Sequence, residues 1–70
     1  MSHIRISIYY MQPGGHKIEA ASMDVRPADP ALAITIANAA ALALHTTKKN
    51  VRLDYVADSG VVTGGVPYGD

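Results

Sequence analysis

The side chains in this 70-residue chain best suited to acid–base or metal chemistry are three histidines, His3, His16 and His45. His3 opens an alternating segment and His16 follows a Pro-Gly-Gly turn, so roughly 25 Å of extended chain separates them at the rise of a strand. They cannot share one metal ion within one chain. His45 lies at the exit of a helical run, where an imidazolium would complement the macrodipole, which is a structural role. A nucleophile needs a base held beside it, and no Ser, His and carboxylate grouping follows from the spacing. The absence of cysteine removes disulfides and thiolate metal sites. Gly64 and Gly65 suggest a phosphate-cradling loop, but no helix and no suitably placed lysine follow them. No catalytic residue, metal ligand or cofactor is therefore expected.

What the charged residues offer instead is a surface. Arg5, Glu19, Arg52 and Asp54 alternate in sign on segments that read as strands, the pattern of cross-strand pairs on a solvated face. Tyr9 falls among them, and Tyr and Arg are favoured where proteins bind one another. Arg5, Tyr9, Glu19, Arg52 and Asp54 are thus the candidate partner-binding face. The other basic residues, Lys17, Arg26, Lys48 and Lys49, are dispersed, and Glu19 and Asp54 would weaken contact with phosphate. Tyr9 and Tyr55 on a sheet would suit base stacking, but Tyr55 shares its side of the pleat with Val51 and Leu53 and is expected in the core. A nucleic-acid accessory role is the alternative, and a structural or assembly subunit a second one.

The elements that must position this surface are marked clearly. From His3 to Tyr10, Ile4, Ile6 and Ile8 alternate with Arg5, Ser7 and Tyr9, the period of a half-buried strand. Pro13, Gly14 and Gly15 predict a hairpin turn, with a returning strand from about His16. Its alternation changes phase, since Met23 and Val25 fall where polar residues had been, and a bulge or a break near Ala21 and Ser22 would repair it. Asp29 is a helix cap and Pro30 suits the first helical position, so a helix is predicted from Pro30 to about Thr47, with Asn50 as its left-handed cap. Val51, Leu53 and Tyr55 make a third strand. A turn at Asp58, Ser59 and Gly60 leads to a short fourth, Val61 to Thr63. Residues 64–70 lack periodicity, and this tail is expected to stay mobile or to swap onto a neighbour. The predicted fold class is α+β: one 1–70 domain of two layers in ββαββ order, with a mainly antiparallel sheet and one helix packed across one face.

The helix is unusual in having no convincing solvent face. Between Ala31 and Leu44 only Thr35 and Asn38 are polar. At about 100° per residue, Leu32, Ile36, Ala39, Ala40 and Ala43, flanked by Leu42 and Leu44, form the stripe expected to cover the sheet. Ile34, Ala37, Ala41 and His45, with Asn38 beside them, form a second apolar side. Small residues let helix backbones approach closely, so these five residues are the expected self-association surface of a homodimer. A scaffold this small without disulfides usually needs such a staple.

Six Lys and Arg balance six Asp and Glu, so no global field draws the chain toward nucleic acid or anionic lipid. The amino-terminal segment is no secretory signal and the apolar helical run is about a third too short to cross a bilayer. A cytoplasmic location without membrane contact is the expectation. The ββαββ order, the compact length and the run DPALAITIANAAALAL, which enters the Ala-rich helix at Asp29 and Pro30, resemble small phage-encoded inhibitors of CRISPR interference complexes. The likeness covers most of the chain and is architectural; that group shares no sequence motif from which a residue could be carried over. It implies a protein-on-protein blocker without catalysis, and the neutral charge points away from a mimic of DNA.

Overall fold

The computed structural model describes residues 2–68. Strands β1 (His3–Met11) and β2 (Lys17–Val25) are followed by helix α1 (Pro30–Ala43), a 3₁₀ turn at Lys48–Asn50, and strands β3 (Val51–Val56) and β4 (Val62–Gly64). The strands form one antiparallel sheet in the order β2-β1-β3-β4. This is the expected ββαββ arrangement. The β1–β2 connection closes with Gly15 N–H donating to the Gln12 carbonyl at 3.1 Å, and Gly14 at φ 98° follows Pro13. Pro then Gly at the two central positions is the chemistry of a type II turn.

Strand pleating sends Ile4, Ile6 and Ile8 to one face, and the ladders place Tyr55, Leu53 and Val51 beside them from β3. The three isoleucines are fully buried, each worth roughly 1.5–3 kcal/mol against exposure. Val25, Ala33, Ala37, Leu53 and Val66 complete the core, and Tyr55 is packed against it. On β2 the phase change is a bulge: Ile8 pairs with Ala21 but Tyr9 pairs with Glu19, leaving Ala20 as the extra residue. Met23 and Val25 thereby join the side of the isoleucines, and Asp24 turns to the other face.

The helix starts as its sequence dictates. Leu32 N–H donates to Asp29 Oδ1 at 3.2 Å and Pro30 needs no partner for an amide it lacks. It stops four residues earlier than predicted, at Ala43. His45, at φ 54°, takes the left-handed position expected of Asn50. His45 N–H donates to the Leu42 carbonyl at 3.2 Å and Thr46 N–H to that of Ala41 at 2.9 Å, the paired bonds of a Schellman ending.

The helix also presents a different side to the sheet. Ala33 and Ala37 are wholly buried and Ala41 is 6% exposed, whereas Leu32, Ala39, Leu42 and Ala43, expected in the core, face water, with Leu42 79% exposed. Ile36 and Ala40 do contribute, half-buried, and so does Ile34. The physical reason is approach distance. With only methyl groups beneath it the helix can sit close to the strands, and the isoleucines on its flanks reach down to them. Its main contacts are with β1 and β3, so β2 remains largely unroofed. Within the tail, Val66 is buried and Tyr68 packs on the core, with Lys48 Nζ 5.7 Å from its ring centre. The rest of the expected mobile segment, residues 69 and 70, lies outside the described residues.

Candidate functional site

The sheet face turned away from α1 carries the polar residues. Pleat and register place His3, Arg5, Ser7 and Tyr9 of β1 there, with Glu19, Ser22 and Asp24 of β2 on one side and Arg52 and Asp54 of β3 on the other. Arg5 stands across from Asp24 on β2 and Asp54 on β3, and Tyr9 across from Glu19. All five residues proposed from the sequence, Arg5, Tyr9, Glu19, Arg52 and Asp54, therefore share one surface.

Two carboxylates organise it. Asp54 is 6% exposed, and Arg52 Nε lies 2.9 Å from each of its oxygens. That hydrogen bond, reinforced by the carboxylate's charge, holds the guanidinium proton still more firmly than usual. The second centre, Asp24, was not among the sequence candidates. Its Oδ1 lies 3.4 Å from His3 Nε2 and 3.5 Å from Arg5 Nε, and its Oδ2 lies 3.4 Å from Arg26 Nη2. His3 is buried, and its Nε2 makes no well-formed hydrogen bond; the contact with Asp24 is an ion pair only when the imidazole is protonated. Parity was the signal for Asp24, since a bulge that moves Met23 and Val25 to the core side must move Asp24 to the other.

Chemically this is a lattice of ion pairs. His3 and Ser7 share a face, but four residues of strand put their Cα atoms roughly 13 Å apart, so they form no nucleophile and base pair. Among the described residues no group of three or more His, Asp or Glu side chains is placed to hold a metal ion. Nor do the described residues form a pocket that would enclose a small molecule. Ser7, flanked by Arg5 and Tyr9 and facing Ser22 and Arg52 across the ladders, is buried. The result is a shallow polar surface on a rigid support.

The residues proposed for self-association fare differently. Ala37 sits in the core, Ala41 is buried and Ile34 packs on the core, leaving only Asn38 and His45 exposed. A helix-to-helix contact around Ala37 and Ala41 is thus unavailable, because those methyl groups already serve the fold. Among the described residues no helix is long and apolar enough to cross a membrane. No protein-family model, curated protein or solved structure matches the chain.

Proposed function

We propose that this chain is a small, non-catalytic protein-binding module of the cytoplasm that engages its partner through the helix-free sheet face, most concretely as a phage-type inhibitor of a host complex. One observation carries the reading: three arginines, Arg5, Arg26 and Arg52, lie beside Asp24 and Asp54 around a half-buried Tyr9 on a continuous sheet. The short Arg52–Asp54 bond limits the freedom Arg52 loses on binding, and Tyr and Arg are the residue types that contribute most at protein interfaces. The same pairing disfavours nucleic acid, because each guanidinium near a carboxylate is partly neutralised before a phosphate arrives. The inhibitor role rests on architectural likeness alone.

The test is capture from bacterial lysate by the immobilised protein, with and without nuclease, beside folded Arg5→Ala and Tyr9→Ala variants. Capture of a discrete protein that resists nuclease and is lost in both variants is the expected result. Nuclease-sensitive capture would replace this reading with a nucleic-acid accessory role, and self-association alone with an assembly subunit.

A further inference from the structure

The sheet has two unlike edges. β4 is three residues long and ends at Gly64, whereas β2 is nine residues long and, among the described strands, pairs with β1 alone. Alternate amides and carbonyls along the outer side of β2 therefore lack a strand partner, the condition under which an edge accepts another strand. The helix leaves most of β2 unroofed, and Ile18 and Met23 are each 37% exposed on that side.

The bulge decides what could pair there. Strands joined in one sheet must set side chains of the same face opposite each other. In β2, Lys17, Glu19, Ser22 and Asp24 point to the polar face and Ile18, Ala21, Met23 and Val25 to the helix face, with Ala20 the unpaired extra residue. For two antiparallel copies of β2 related by a twofold axis, this change of parity excludes every even-sum register that pairs residues across the bulge; the even register that pairs Met23 with itself keeps its faces but joins only residues 21–25. Pairing Ala21 with itself, for example, would set Ile18 against Asp24. Among the odd sums, 43 brings Glu19 against Asp24 and Lys17 against Arg26, both repulsive. A sum of 39 offers only small residues to Lys17 and Ile18. A sum of 41 sets Lys17 against the partner's Asp24, Ile18 against the partner's Met23, Glu19 against the partner's Ser22, and the two alanines against each other.

We propose that two copies of this chain join through their β2 edges in that register, forming an eight-stranded sheet with both helices on the same side. Symmetry makes each contact twice: two Lys17–Asp24 ion pairs on the polar face and two Ile18–Met23 contacts on the other. Asp24 has capacity for the added cation, since its three contacts of 3.4–3.5 Å exceed the roughly 2.7–2.9 Å of a strong charged hydrogen bond. Lys17 Nζ makes a 3.5 Å contact with the Lys49 carbonyl oxygen, which is weak enough to exchange. This dimer does not depend on the polar face having a protein partner.

The experiment combines sedimentation with crosslinking, and the chain's lack of cysteine makes introduced thiols unambiguous. Wild type should sediment as a concentration-dependent dimer, and Lys17→Glu should raise the dimer dissociation constant about tenfold or more, because two attractions become two repulsions. Under oxidation the Ile18→Cys/Met23→Cys variant should form a covalent dimer. The two sites are five residues apart on one strand, roughly 16 Å, so they cannot bridge within a chain. The Ile18→Cys/Ala21→Cys variant, which reports the register summing to 39, should not crosslink. A monomeric wild type at millimolar concentration would overturn the proposal. So would a dimer that is indifferent to Lys17→Glu, or one trapped by Leu42→Cys on the helix and not by the β2 pair.

Discussion

Gly64 stands directly across the β3–β4 ladder from Asp54, and a Cβ built on it would lie 3.2 Å from Asp54 Oδ1. The missing side chain is what leaves room for the buried carboxylate and its bond to Arg52. Gly64→Ala should therefore destabilise the protein by about 1 kcal/mol, and Asp54→Ala by about 1–3 kcal/mol through loss of a buried charged acceptor. In the Asp54→Ala background the Gly64→Ala cost should largely vanish, because the obstacle has gone. A denaturant double-mutant cycle measures this coupling; strict additivity would show that the two residues do not constrain each other.

The assignment of helix faces predicts opposite fates for two neighbouring turns. Ala37→Leu inserts bulk where the helix meets the sheet and should cost about 1–3 kcal/mol or more by overpacking. Leu42→Lys, at a position 79% exposed, should change stability by less than about 0.5 kcal/mol. Thermal unfolding of the two variants would give the reverse ranking if the leucines formed the buried side.

His45 occupies a left-handed backbone conformation at φ 54°, which costs a residue bearing a Cβ roughly 1 kcal/mol relative to glycine. His45→Gly should stabilise the fold by about that amount, with the Thr46-to-Ala41 hydrogen bond intact. Unchanged or lower stability in urea titration would mean that the imidazole contributes something which offsets the strain.

Tyr68 is raised above the ordinary phenol range by burial, and its hydroxyl has no hydrogen-bond partner among the described residues. A group that binds its proton more tightly when folded contributes fully below its unfolded value and loses that contribution as pH rises through the folded one. The wild type should thus lose stability above about pH 10. Tyr68→Phe should remove that alkaline component and be neutral or stabilising near neutral pH, because the unpaired hydroxyl disappears with little change of shape. Matched melting curves at pH 7 and pH 10.5 decide it.

Most of the scaffold was readable from spacing. Ile4, Ile6 and Ile8 alternate cleanly, Asp29 and Pro30 mark a helix start, and the displaced Met23 and Val25 called for a bulge or break near Ala21 and Ser22, which Ala20 supplies as a bulge. The polar face followed from the same alternation. The helix orientation did not, because alanine occurs on every side of it and the usual rule, that the largest apolar residues face inward, favoured the leucines. Closeness of approach to the sheet settled the matter, and that is a property of the assembled layers. The early helix end escaped for a related reason: a left-handed histidine has no strong sequence signal, although the two threonines that follow it are poor helix formers. Val66 was hidden by glycine and proline neighbours, where no periodicity can announce a buried side chain.

The row of methyl groups beneath the helix sets the height of the upper layer. A larger residue at Ala33, Ala37 or Ala41 would have to lift the whole rod and loosen Ile34 and Ile36 with it, so change at these sites is coupled to the entire interior. The outward leucines carry no such obligation. Variants selected for folding alone should stay small at every fourth position underneath and drift freely on top, and any lasting restraint found at Leu32 or Leu42 would then reflect something other than the needs of this domain.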